Sequence, residues 1–419
     1  MTMPNKRIYL CLAHMSGNEM KYIQEAFDTN WVVPLGPNVN GFEEDLSQFV
    51  SPGEGRPVVA LASGTAAIHL ALIACGVEAG DEVMVQSFTF CASSNPITYL
   101  GATPVFVDSE KDTWNMDPEL LDKAIADRIE KTGKKPKAIL PVYLYGMPAK
   151  IDEIMEVAKK YDIPVIEDAA EGFGSRYKGK VCGTFGQYGI LSFNGNKMIT
   201  TSGGGALICP DEKAKQEIMF YATQAREAFP YYQHEKIGYN YRMSNICAGI
   251  GRGQMTVVEE HLKHHKHVQK MYEKLLADVP GIHVHSQPAG GGYDSNYWLC
   301  TITIDPDVKI KGQENAYKTI VKGAVGGAAG VIHMASSATT DCQPNDNVEA
   351  LRVLMDQAQI EARPVWKPMH KQPCYKGVPA YVNGVSEALF KVGMCLPAGP
   401  YVTDEDVRYI VETIKNAII

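Results

Sequence analysis

Three short runs of the sequence could do chemistry together. SFNGNKMITTSGGG, Ser192 to Gly205, places Lys197 on a loop directly after the apolar segment GILSF. IEDAAEGFG sets Asp168 at the end of a second apolar segment, and SGTA, Ser63 to Ala66, opens a helical pattern after a third, PVVALA. A lysine whose amine is freed by a cationic neighbour or partial desolvation can form a Schiff base. A carboxylate ending a buried strand is costly without a positive partner, so Asp168 reads as the counter-ion of a cationic ring nitrogen or as a helix N-cap. Free N–H groups at a helix start, with no bulky side chain at Gly64, suit a phosphate; an ordinary helix capped by Ser63 or Thr65 is the other reading. The set matches what pyridoxal 5'-phosphate requires: a phosphate anchor, a carboxylate that keeps the ring nitrogen protonated, and a lysine. Phe90, in QSFTFCAS, is the candidate to stack on the ring, and a core phenylalanine is the alternative.

Such a set needs a scaffold that gathers the ends of distant segments. From about residue 55 to 210, strand-like runs (PVVALA, DEVMVQ, TPVFVD, KAILPVYLY, PVIEDA, GILSF, GALIC) alternate with helical patterns such as GTAAIHLALIACG and the amphipathic KIDEIMEVAKKYD. The alternation predicts an α/β fold with a mostly parallel sheet covered on both faces, and ligands bind such sheets beyond the carboxyl ends of the strands. A helical stretch from about Asn245 to Leu276 leads away from it. Beyond lie a strand, YWLCTITID, an amphipathic helix, LRVLMDQAQI, and TDEDVRYIVETIKNAI, a helix announced by a Thr-x-x-Asp cap. Two domains are therefore expected, 1–256 with an N-terminal arm and a smaller α+β unit over 257–419.

Composition narrows the partners. With 45% apolar and 21% charged residues the chain reads as an ordinary globular protein, and a net charge of −8 without a basic stripe argues against nucleic acid. No apolar run reaches roughly 18 residues, and the first residues lack a signal-peptide pattern, so no membrane association and a cytoplasmic location are expected. Ten cysteines without a C-x-x-C pair read as reduced core residues, and no metal site is expected.

Taken in order, SGTAAIHLAL, SFTFCAS, PVYLYGMPAKID, VIEDAAEGFGS, SFNGNKMITTSGGGALI, GYNYRMSN, EARPVWKPMH and CLPAGP resemble the DegT/DnrJ/EryC1/StrS nucleotide-sugar aminotransferases over nearly the whole chain, most closely the PglE-type branch. The resemblance implies a fold-type I, aspartate aminotransferase-like PLP-dependent transferase. Lys197 would be the Schiff-base lysine and proton shuttle. Asp168 would pair with the pyridinium nitrogen, Gly64, Thr65 and Ser192 would hold the phosphate, and Phe90 would cover the ring. Glu171 would lie beside the phenolic oxygen, where many relatives carry Gln or His, and would need a raised pKa or a shared hydrogen bond there. Asn240 would reach the phosphate of a neighbouring subunit, implying a homodimer with shared active sites. Arg242, Lys367 and His370 are weaker substrate-binding candidates, with Arg363 beside the last two.

The implied reaction moves the amino group of L-glutamate to C4 of a UDP-linked 2-acetamido-4-keto-2,6-dideoxyhexose, as in bacillosamine-type pathways. Alternatives are a 4- or 3-aminotransferase for another nucleotide ketosugar, such as GDP-4-keto-6-deoxymannose, or a catalytically silent PLP-binding regulator. A lysine at position 197 excludes the family's dehydratase branch, which carries His there. The small-residue stretch 323–340 is expected to be a mobile segment near the nucleotide or surface decoration.

Overall fold

The computed structural model describes residues 6–317 and 342–419, so the expectation for 323–340 lies outside the described residues. Among the described residues eight strands make the central sheet, in the order Ala380–Tyr381, Thr103–Val107, Glu82–Gln86, Ala138–Leu140, Ile166–Asp168, Tyr188–Ser192, Gly205–Ile208, Val58–Leu61. Bridges between Ile139 and Val165 and between Val142 and Asp168 join its two halves. Every strand is parallel to its neighbours except Gly205–Ile208, which is antiparallel to both of its own. That exception follows from the connection: the chain returns from Ser192 to Gly205 by a loop and makes no helical crossover.

Strand residues alternate between two cores. Val58, Ala60, Met84, Val105, Val107 and Ile139 belong to one, while Val59, Leu61, Val83, Val85, Phe106, Ala138 and Leu140 belong to the other. Period-two alternation with both faces apolar is what a sheet covered by helices on each side needs. Helix Gly64–Ala74 covers one face; its N-cap, Ser63, accepts a hydrogen bond from the Ala66 N–H at 3.0 Å. Helix Ile151–Tyr161 buries Ile151, Ile154 and Ala158 against the opposite core, with Asp152 and Glu153 in its first turn and Lys159 and Lys160 in its last, complementing the helix dipole.

The helical stretch expected over residues 245–276 is two helices, Asn245–Met255 and Val258–Leu276. The break comes where the Thr256 hydroxyl bonds back to the Gly253 carbonyl at 2.6 Å and accepts from Asn18 Nδ2 at 2.9 Å. A third core gathers Val268, Tyr272 and Leu276 of the second helix with Cys300, Ile302, Ile304, Met394, Leu396 and the helix Asp404–Ala417. Its sheet, Ile282–Val284, Cys300–Ile304, Gly393–Leu396 and Arg363–Pro364, is antiparallel throughout. The expected cap on the last helix is present, with Thr403 and Asp406 exchanging hydrogen bonds.

The glycine run after Lys197 has a packing cause. A Cβ on Gly205 would overlap the backbone of Ser63 and Gly64, whereas one on Gly203 would meet nothing within 4 Å. Gly205→Ala should therefore destabilise the protein by about 1–3 kcal/mol and shift the start of helix Gly64–Ala74. Gly203→Ala should leave thermal unfolding within experimental error of the parent, and equal losses in the two variants would contradict this assignment.

Candidate active site

Strand ends collect the chemical residues on one edge of the sheet. Asp168 and Ser192 are the last residues of adjacent parallel strands, Ser63 follows Val58–Leu61, Phe90 follows Glu82–Gln86, and Tyr145 follows Ala138–Leu140. Gly64 packs so closely on Ser192 that an added Cβ would lie 3.3 Å from the serine Cβ. Ser63 caps Ala66, which leaves the N–H groups of Gly64 and Thr65 without intrahelical partners, beside the half-buried Thr65 and the buried Ser192 side chains.

Asp168 is buried. Its Oδ2 accepts from Ser93 Oγ at 2.6 Å and its Oδ1 from the Ala170 N–H at 3.1 Å. Because Ser93 gives its proton to Asp168, the 2.7 Å contact between Thr89 and Ser93 runs with Thr89 as donor. Burial raises the Asp168 pKa, opposed by Ser93, Ala170 and the charge of Lys197. Among the described residues no ion pair reaches it. A buried acid held by neutral donors fits a cationic ring N–H as its missing partner.

Lys197 Nζ lies 3.3 Å from Glu171 Oε1 and 3.9 Å from the centroid of the Trp298 ring. The loop around it is fixed through its carbonyls: Asn196 accepts from Trp298 Nε1 at 2.6 Å, and Met198 from His261 Nδ1 at 3.1 Å. A carbonyl can only accept, so neutral His261 carries its proton on Nδ1, and its Nε2 accepts from His14 Nδ1 at 3.2 Å.

Glu171 is buried between these groups. Its Oε2 accepts the Tyr145 N–H at 2.7 Å, and Asn296 Nδ2 holds its main-chain carbonyl at 2.7 Å. Burial pushes the Glu171 pKa up to about 7 against the opposing pull of Lys197 and the Tyr145 N–H. Tyr145 reaches it from a left-handed backbone conformation, φ 54°, that aims its amide at the carboxylate.

Phe90 is 53% exposed, unlike Phe88, which is fully buried, so Phe90 is not a core residue within the chain. Its ring lies 5.4 Å from that of Trp366, which is 5.2 Å from Tyr145 and 6.4 Å from Trp298. These rings form one aromatic cluster, and within it Trp298 lies against the lysine. Sequence reasoning missed Trp298, Tyr145, Ser93 and Asn296. The runs YLYG and SNYWLC carried a weak signal, aromatic residues at or beside a strand end.

The remaining candidates separate. The buried guanidinium of Arg242, expected to bind phosphate or substrate, pairs with Glu43 and donates to the Ala60 carbonyl at 2.7 Å. Asn240 is exposed, and its sequence neighbours Tyr239 and Tyr241 stack their rings on each other, on a segment bridged to Thr223. His370 Nδ1 lies 2.7 Å from Ser87 Oγ, and burial lowers its pKa. Arg363 pairs with Glu361 at 2.7 Å, and Lys367 is half-buried. Among the described residues no helix is long and apolar enough to cross a membrane.

The sequence profile of the DegT/DnrJ/EryC1/StrS aminotransferase family matches residues 14–326 and 328–415. The chain is 44% identical over 416 residues to EpsN of Bacillus subtilis (strain 168), covering 98% of this chain and 96% of that protein, whose name describes a pyridoxal phosphate-dependent aminotransferase. It is 33% identical over 402 residues to the GDP-perosamine synthase of Escherichia coli O157:H7, covering 96% of each. The crystal structure of a DegT DnrJ EryC1 StrS aminotransferase from Brucella abortus matches with a TM-score of 0.80 at 26% identity, over 96% of this chain and 95% of that one. The chain therefore belongs to the DegT/DnrJ/EryC1/StrS aminotransferase family, as a fold-type I, pyridoxal phosphate-dependent sugar aminotransferase.

Proposed function

We propose that the enzyme transfers the amino group of L-glutamate to C4 of a UDP-linked 2-acetamido-4-keto-2,6-dideoxyhexose. It would work in the cytoplasm as a homodimer, with residues 1–256 binding the cofactor and 257–419 forming the smaller domain. The observation that carries the chemistry is Lys197 Nζ set against Glu171, on the strand-end edge that also holds the buried Asp168. When bound, pyridoxal 5'-phosphate supplies an aldehyde for nitrogen and a ring that acidifies the carbon bearing it.

The chain's own residues do the rest. The Gly64 and Thr65 N–H groups and the Ser192 hydroxyl hold the phosphate at the helix start. Asp168, charged beside a cationic ring nitrogen, keeps that nitrogen protonated, and Phe90 covers one ring face. Glu171, raised by burial into the neutral range, shares a proton with the phenolic oxygen. Lys197 would carry a proton between the carbon bearing nitrogen and C4′ of the cofactor, away from the glutamate carbon in the first half of the reaction and onto the sugar carbon in the second. Lys367 is the remaining basic side chain proposed for the nucleotide diphosphate.

The UDP assignment rests on the sequence resemblance, while likeness to a GDP-perosamine synthase over 96% of the chain favours a GDP-linked 4-ketosugar as the second reading. Two features support the dimer. Asn240 is exposed, and Phe27, Trp31, Val32, Val33 and Leu35 leave an apolar strip in solvent that a partner would cover.

Lys197→Ala should cut transamination by about 10²- to 10⁴-fold or more. It should also prevent borohydride from fixing the cofactor to the chain, read by peptide mass spectrometry. Purified wild type supplied with glutamate should turn over UDP-ketosugar faster than GDP-ketosugar, and the reverse ranking would replace the UDP reading with the GDP one.

Mixing Lys197→Ala with Asn240→Ala protein should regenerate up to about a quarter of wild-type activity, since a shared interface gives each mixed dimer one intact site. No recovery, with subunit exchange verified, would place Asn240 outside the partner's site.

The Glu171 pKa is higher folded than unfolded, so the stability it affects is full at low pH and is lost as pH rises from about 4.5 to about 7. Glu171→Gln should remove that loss and stabilise cofactor-free protein by at most about 3 kcal/mol above pH 7. At pH 4.5 it should have little effect. Denaturant unfolding at the two pH values tests this; an equal effect at both would count against the raised pKa.

A further inference from the structure

We propose that Trp298 is a positioning residue whose indole face holds the Lys197 ammonium whenever that amine is not bonded to the cofactor. This deepens the assignment of Lys197 as the nitrogen-bonding lysine and rests on it. Nζ lies 3.9 Å from the centroid of the Trp298 ring, well within the distance at which a cation is drawn to an aromatic face. The ring is only 3% exposed, so water does not screen the contact.

Its orientation is fixed from two directions. Nε1 donates to the Asn196 carbonyl at 2.6 Å, and the backbone N–H of Trp298 donates to Asn296 Oδ1 at 2.8 Å. The same Asn296 holds the main chain of Glu171 and of Phe173 through Nδ2. One asparagine therefore ties the residue carrying the indole to the residue carrying the carboxylate, and Lys197 Nζ is set between the two.

The two partners behave differently during turnover. Glu171 titrates near neutrality and has a second proposed task at the phenolic oxygen, so its charge is not constantly at the lysine's disposal. The quadrupole of an indole does not titrate. An amine that must leave the cofactor, carry a proton and come back needs a resting place that attracts the cation without taking its proton, and the Trp298 face meets that requirement.

The test uses holoenzyme loaded with pyridoxamine 5'-phosphate, in which Lys197 is free. Brief treatment with acetic anhydride, followed by mass spectrometry, gives the acylation rate of Lys197 relative to exposed lysines. Trp298→Leu should raise that rate about three- to tenfold, while Trp298→Phe, which keeps an aromatic face, should stay near wild type. Uniform fluorotryptophan labelling keeps the shape and N–H of the ring but weakens its face, and the rate should climb with each added fluorine. A Trp366→Phe background removes the neighbouring indole from that comparison. Rates indifferent to fluorination, or Phe behaving as Leu, would overturn the proposal, and the fluorinated proteins decide should Trp298→Leu fold poorly. Borohydride fixing of the cofactor to Lys197, measured on the aldehyde form of each protein, tells a failure of this proposal from a failure of the lysine assignment.

Discussion

Two carboxylates, Asp168 and Glu171, are buried within one turn of chain at the edge of the sheet, and the cation facing both is Lys197. Taking two such groups out of water costs several kcal/mol each unless dipoles and charges replace the lost hydration. The surrounding structure supplies those dipoles. Thr89 orients Ser93 toward Asp168, the Ala170 N–H takes its other oxygen, and Tyr145 accepts a left-handed backbone to point its amide at Glu171. Neutral donors stabilise charge without cancelling it. Negative potential is left over at the strand ends, which a cationic ring and a mobile ammonium can use.

The fold was largely legible because burial on both faces imposes a simple pattern. Strands such as DEVMVQ and TPVFVD are nearly continuous apolar runs, and DEVMVQ ends shortly before Phe90. The antiparallel Gly205–Ile208 was not legible from its own composition, since GALIC reads like any buried strand. Its direction is set by the loop that carries Lys197. The break between Met255 and Val258 was hidden for a similar reason: a Thr256 hydroxyl turning back on a carbonyl leaves no mark in helical periodicity.

Within the candidate site, sequence reading named the groups that carry charge and not the groups that hydrogen-bond to them or pack on them. Lys197, Asp168 and Glu171 are recognisable because a charged residue beside a buried strand is expensive and so demands a reason. Ser93, Asn296 and Trp298 are cheap to bury once their hydrogen bonds are made, and nothing in their local sequence advertises the partner. Arg242 shows a contact that sequence does not reveal. Two residues from Asn240 it looked available, yet Glu43, buried on a helix far away in sequence, holds its guanidinium and fixes the segment on which Asn240 is displayed.

The lysine loop joins these observations. In the role proposed for Lys197 the amine has to move by several bond rotations, yet its backbone must not drift, because misplacing a reacting group by about 1 Å can cost two orders of magnitude in rate. Here successive parts of the loop are clamped by groups from separate parts of the fold: Asn196 by Trp298, which precedes a strand of the small sheet, and Met198 by His261 of the long helix. His261 is in turn tied to His14, near the start of the chain. The smaller C-terminal layer and the N-terminal segment therefore converge on the loop from outside the central sheet. In the proposed role of Lys197, the contribution of these contacts is to hold the backbone on both sides of the lysine while its side chain moves.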